Sequence, residues 1–199
     1  MSITYPLSTP TSIGIAEITL RARNAVAISE SPFSFSQQIV RHPGQRWEAD
    51  VSLPPVRKDL LAPWLSMLIA LRGQFGTFLL GDPDFTEPQG TATGGTISGA
   101  AGAETVTATL TGPEVSDTLL AGDYIQVGSG SGARLHRVLQ DRVGSGSMEI
   151  WPALRATYTN ANLTLTNPRG VFRLAAPATE WSINNNNAYG ISFSAVEVI

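Results

Sequence analysis

Residues 45–84, QRWEADVSLPPVRKDLLAPWLSMLIALRGQFGTFLLGDPD, read as a strand, a sharp stop, an amphipathic helix, a glycine stop, a second strand and a turn. Trp47, Ala49, Val51 and Leu53 alternate with Glu48, Asp50 and Ser52, the period-2 pattern of a strand with one buried face. Pro54-Pro55 removes two ladder donors and ends it. Leu60, Leu61, Trp64, Leu65, Leu68, Ile69 and Leu71 then recur at helical spacing, which predicts a helix over about 57–72 with one broad apolar stripe. Gly73 is placed to close that helix in the left-handed conformation. Pro63 either kinks it or marks the first turn of a shorter helix starting near Ala62. Gly76 to Leu80 reads as a further strand, and Gly81-Asp82-Pro83-Asp84 as a turn. A single substantial helix with such a stripe needs a sheet to bury it.

The rest of the chain supplies strands. At 199 residues, with 15% charged side chains and abundant Gly, Thr and Ser, it reads as one large or two small β-rich, turn-rich domains. A formal charge of −3 argues against binding nucleic acid or an anionic membrane through bulk charge. The absence of cysteine excludes disulfides, thiolate metal sites and cysteine nucleophiles. The start, MSITYPLSTPTS, lacks the basic and apolar regions of a signal peptide, and the apolar window Leu60–Leu71 is too short to span a bilayer. A soluble protein made in the cytoplasm is expected.

Residues 1–12 read as an extended arm outside the core. Ile13 to Arg23 alternates as a strand, Asn24 is a candidate turn, and Ala25 to Ile28 a short return strand. Phe33 to Val40 is a further strand that should stop at the turn His42-Pro43-Gly44. Near the C-terminus Tyr189, Ile191, Phe193 and Ala195 share a face, after which Val196 and Val198 shift the phase, suggesting a bulge. Between these halves the composition changes. Residues 86–110 are dominated by Thr, Gly, Ala and Ser. Thr105–Leu110, Asp123–Val127, Arg134–Leu139, Ser147–Trp151 and Asn162–Thr166 then follow as short strands with turns between them. Regular short strands of this kind suggest a small barrel or sandwich. The expected organisation is a mainly β core from residues 1–88 plus 171–199, with 89–170 inserted as a β-barrel-like module.

Residues able to carry chemistry are scarce. His42 sits beside a Pro-Gly turn, and His136 lies in a candidate strand with no spaced ligand motif around it. Asp82 and Asp84, with Glu48 and Asp50, could be drawn as an acid/base set, but turns recruit aspartate for their own backbone hydrogen bonds. Val127-Gly-Ser-Gly-Ser-Gly-Ala133 fits a dinucleotide fingerprint by letter. Too few residues separate it from Gly144-Ser145-Gly146 for a crossover helix, and a hairpin loop explains it. No hydrolase elbow or phosphate loop is present. No catalytic residue, cofactor-binding residue or metal ligand is assigned, no cofactor is expected, and the chain is expected not to be an enzyme. Asn184 to Asn187 reads as a polar loop.

The run Trp47-x-Ala49-x-Val51-x-Leu53-Pro54-Pro55, the helix bearing Trp64 and ending Leu71-Arg72-Gly73, and Gly76-Thr77-Phe78-x-Leu80-Gly81-Asp82-Pro83 together resemble phage minor tail proteins near the tail tip. The nearest match is the distal tail protein of long-tailed, siphovirus-type phages. Leu120–Val127 and Trp151-Pro152-Ala153-Leu154-Arg155 resemble a β-module inserted in such proteins. The resemblance covers about two-thirds of the chain. It implies a β-sandwich or split-barrel core packed on one helix. It also implies six copies in a homohexameric ring at the virion's tail tip, joining the tail tube protein to hub and receptor-binding proteins. Genomic DNA would pass through the lumen without specific binding, and no membrane would be bound. Two other classes stay open from the residues alone. A carbohydrate- or receptor-binding β-module of an adhesin-like protein would use an aromatic platform such as Trp151, Tyr158 and Trp181. A hydrolase would use Asp82 and Asp84.

Overall fold

The computed structural model describes residues 3–114, 116–183 and 189–199; the expected polar loop at Asn184–Asn187 lies outside them. The fold is mainly β, with one α-helix among the described residues. The first part of the chain forms β1 (Leu7–Ser8), β2 (Glu17–Glu30), β3 (Gln37–Ser52), α1 (Lys58–Ala70) and β4 (Phe78–Leu80). The middle forms β5 (Gly94–Gly99), β6 (Thr105–Thr111), β7 (Thr118–Leu119), β8 (Tyr124–Val127), β9 (Arg134–Val138), β10 (Arg142–Val143), β11 (Gly146–Trp151) and β12 (Tyr158–Thr164). The end forms β13 (Gly170–Leu174), β14 (Trp181–Ile183) and β15 (Tyr189–Glu197).

The outer segments build a seven-stranded sheet in the order β1-β4-β13-β15-β3-β2, with β14 added to β15. The middle strands close on themselves in a six-stranded barrel, β11-β6-β5-β12-β8-β9, beside a β7–β10 ribbon. Each body has its own apolar cluster. The sheet's cluster holds Trp47, Val51, Trp64, Leu68 and Phe78. The barrel's cluster is centred on Ile97, Ala108, Ile125, Val127, Ile150 and Leu165.

Helix α1 buries Leu61, Trp64, Met67 and Leu68, and Leu71 follows them inward. The stripe is narrower than expected, because Leu60 and Ile69 are solvent-exposed. Pro63 lies inside the helix and faces solvent. There the carbonyl one turn back, deprived of its usual N–H partner, can meet water instead. Both Arg72 and Gly73 take positive φ (53° and 67°) to turn the chain out of the helix. A Cβ on Gly73 would meet the Pro177 carbonyl oxygen at 2.6 Å, so the position demands glycine on space as well as on φ.

Four local expectations are corrected. The N-terminal segment is not a loose arm: Leu7–Ser8 pairs in parallel with Phe78–Leu79, and the Tyr5 hydroxyl donates to the Ala70 carbonyl at 2.6 Å. A C-terminal helix carbonyl needs such a donor, so Tyr5→Phe should cost about 1 kcal/mol in a denaturant titration. Asn24 is not a turn; β2 runs through it without a break. His42-Pro43-Gly44 does not end a strand either. Asn24 pairs with Gln45 and Val26 with Arg41, so these three residues bulge opposite Ala25. A bulge accepts proline because it asks for no ladder donor. A Cβ on Gly44 would lie 3.1 Å from that of Ala25. The reversal is instead at Ser31–Ser36, where Phe35 donates to the Ser31 carbonyl at 2.9 Å and takes φ 54°. Finally, β15 has no phase shift: Leu174, Arg173 and Phe172 pair in unbroken register with Ala195, Val196 and Glu197. The inward position after Ala195 is filled by a buried carboxylate, Glu197, not by an apolar residue.

Candidate functional site

Three places carry polar or exposed groups that core packing alone does not explain: the joint between barrel and sheet, the interior of the barrel, and the hairpin β2–β3.

The joint is built around Trp47 and Gln45, neighbours on the inward face of β3. Trp47 is buried, its Nε1 donates to the Leu135 carbonyl of β9 at 2.9 Å, and its ring meets Trp151 edge-on with centroids 4.5 Å apart. Tyr124 and Leu135 are barrel residues that belong to the sheet's cluster. Arg137 lies over the Tyr124 ring at 4.9 Å, and burial pushes the Tyr124 phenol above its ordinary pKa. The polar half of the joint is a closed network. Arg155 donates through Nη2 to Glu197 Oε2 at 2.8 Å and to the Gln45 carbonyl at 2.6 Å. Glu197 also accepts the Trp47 backbone N–H at 3.0 Å. The Gln45 amide accepts from Ala153 N–H at 2.7 Å and donates to Glu104 at 2.6 Å, and Arg41 pairs with the same Glu104 carboxylate. Hydrogen bonding by Arg41 lowers the Glu104 pKa. Every group here answers another protein group, which is the signature of a structural joint and not of a site awaiting substrate.

Inside the barrel His136 is fully buried. Its Nδ1 lies 2.7 Å from the Pro152 carbonyl, and since a carbonyl only accepts, Nδ1 carries the proton. Nε2 is therefore a bare acceptor, and among the described residues it has no partner. Burial depresses the imidazole pKa to about 4; the nearby Arg155 and Arg134 push in the same direction and the Pro152 carbonyl opposes them. Ile125 lies across the strand pair from it.

The remaining sequence candidates are separated. His42 lies exposed in the bulge of β3. Asp82 accepts the Asp84 backbone N–H at 3.0 Å, the local bond of a turn aspartate, and Asp84 is exposed. The glycine run forms a short 3-10 turn, Gly130–Gly132, joining β8 to its antiparallel neighbour β9. Among the described residues no three His, Cys, Asp or Glu side chains gather as a metal-binding group. Trp151 is engaged at the joint, where its Nε1 donates to Asn24 at 2.8 Å. Tyr158 packs on the barrel cluster. Trp181 is on β14, and only it, about half exposed, is open to a ligand. It lines an open cleft of about 380 Å³ with Glu180, Ser182 and Ser192, beside one of about 550 Å³ lined by Glu17, Asp50, Glu180 and Ser194 among others. Asp50 there accepts the Ser194 hydroxyl at 2.6 Å and pairs with Arg21, and these hydrogen bonds, Ser194's foremost, lower its pKa.

The hairpin is the feature that sequence reading missed. β15 covers β3 only from Glu48 to Ser52, so from Gln45 outward β2 and β3 pair with each other alone. The eight steps from Gln45 to Gln37 extend roughly 25 Å. Every residue from Arg21 to Glu30 and from Gln37 to Gly44 is exposed. Yet the ribbon is apolar where a solvated loop would not be. Ile28 and Ile39 are cross-strand partners exposed at 63% and 60%, and at the tip Phe33 and Phe35 are exposed at 96% and 73%. The signal was available: Val26, Ile28, Ile39 and Val40 carry the β-branched content of strands, but Asn24 read as a turn and the His-Pro-Gly triplet read as a stop cut these segments from the rest of β2 and β3. No helix is long and apolar enough to cross a membrane among the described residues.

No protein-family model matches the chain, and no curated protein sequence matches it.

Proposed function

We propose that this chain is a structural component of a phage tail tip, a ring subunit of the distal-tail type, acting by assembly with copies of itself and with the tube and hub proteins. The observation that carries the reading is the projecting hairpin with its exposed isoleucines and phenylalanines. An isolated two-stranded ribbon gains little stability of its own. A row of large apolar side chains held in water is the hallmark of a surface made to be covered. The resemblance of Trp47–Pro83 to tail-tip proteins agrees with this, as does a joint whose polar groups are all mutually satisfied.

The double substitution Phe33→Ser, Phe35→Ser tests it. Both side chains already meet solvent, so the purified protein should keep its melting midpoint. Tail assembly should fall sharply when the variant replaces the native chain in the producing phage, read by electron microscopy of particles. Native particles should carry the protein at the tail tip; labelling it elsewhere overturns the assignment. A second reading, glycan binding, rests on Trp181 at the edge of the acidic, hydroxyl-lined cleft. Glycan-array binding abolished by Trp181→Ala would favour it.

A further inference from the structure

We infer that the hairpin tip of one copy seats on an apolar patch around the C-terminal end of α1 in the next copy, a head-to-tail contact. The inference rests on the assembly reading above and names the receptor of that surface.

The chain has a second exposed apolar area besides the hairpin. Ile69, exposed at 56%, ends the outer face of α1, and Phe75, at 71%, follows the helix turn. Tyr5 links this area: its ring meets Phe75 edge-on with centroids 6.0 Å apart, and its hydroxyl reaches Ala70. Ile3, also exposed, precedes it. The two areas differ in charge. Glu30 is the charged residue at the end of β2 and Arg72 stands beside the helix-end patch; among the described residues neither is in an ion pair. Docking the tip on the patch brings opposite charges together.

Area favours a second copy as the occupant. The exposed parts of Val26, Ile28 and Ile39, which share one face of the ribbon, and of Phe33 and Phe35 at its tip offer roughly 600 Å². That is close to the roughly 800 Å² each partner gives to a stable interface. Symmetry then selects the arrangement. Hairpin against hairpin would be isologous, would end at a pair, and would leave the helix-end patch open in every copy. Tip on patch covers both surfaces in every copy and repeats, as ring closure requires.

The absence of cysteine makes the test clean. Ser34→Cys places a thiol between the two tip phenylalanines, and Gln74→Cys places one beside Phe75; both positions are exposed. Each single variant and the double variant are oxidised mildly, as concentrated purified protein and in tail particles, and run on non-reducing gels. The double variant should give a ladder of covalent oligomers, the single variants none, and adding Phe33→Ser and Phe35→Ser should abolish the ladder. Dimers from Ser34→Cys alone would mean that hairpins pair with hairpins and would overturn the inference. So would the absence of a ladder in particles that do hold the protein at the tail tip, since the hairpin would then sit on another tail protein. A ladder from purified protein that is missing from the tail tip would leave this contact standing and remove the functional reading. Unchanged melting midpoints for the cysteine variants guard against misfolding as the cause of any loss.

Discussion

Replacing Arg155 by methionine is expected to lower the unfolding free energy by about 3–5 kcal/mol, because it strands a buried carboxylate. The Glu197 side chain is 1% exposed, and among the described residues Arg155 is its only cationic partner, held by a two-pronged contact at 2.8 and 3.3 Å. The same substitution removes the donor to the Gln45 carbonyl, so the hydrogen-bonded seam between barrel and sheet opens on one side. The cause can be separated from lost packing by adding Glu197→Gln. Glutamine keeps an acceptor for the Trp47 backbone N–H and has no charge to desolvate, so the double variant should recover a substantial part of the loss. Chemical denaturation of the four proteins in the cycle measures this. A double variant as unstable as Arg155→Met alone would show that the buried charge is not what the arginine serves.

That ion pair also shows where reading the residues stopped. The period-2 pattern of Trp47–Leu53 and the helix that follows were legible because apolar spacing there coincides with burial: Trp47, Ala49, Val51, Leu53, Leu61, Trp64 and Leu68 are all in the core. The C-terminal strand obeys the same geometry, but its last inward position is glutamate. A pattern scan reads that as a change of phase, since the partner that makes the burial tolerable lies 42 residues away. The barrel's β5 was hidden for the opposite reason. Its side chains are small, and Ile97 is its one fully buried residue of any size. The hairpin was cut in two because Pro43 and Gly44 carry strong turn signals, and only the pairing of β2 across the bulge shows them absorbed within a strand. Such failures fall where long-range partners override local preference. The tip phenylalanines are a further case: apolar residues between serines carry no periodicity, and their exposure is visible only in three dimensions.

Lowering the pH from about 6.5 to 4 should remove on the order of 3 kcal/mol of stability through His136 alone, at up to about 1.4 kcal/mol per pH unit. Burial holds the native imidazole near pKa 4, against 6.5 for the ordinary value. Between those values the unfolded chain takes up a proton that the folded barrel refuses, so unfolding is favoured by acid. Above about pH 7 both states are neutral at this residue and it adds no pH dependence. Below about pH 4 both are protonated and its contribution is exhausted. The carboxylates with lowered pKa, Glu48, Asp50 and Glu104, titrate in the more acid range and keep partial contact with solvent, so their losses come later and are small. Urea midpoints across this window test the assignment when the native chain is set against His136→Asn. Asparagine can place an amide donor toward the Pro152 carbonyl and has nothing to titrate. Whatever packing does to its baseline stability, its slope between pH 6.5 and 4.5 should be nearly flat. An unchanged slope in that variant would place the acid sensitivity elsewhere in the fold.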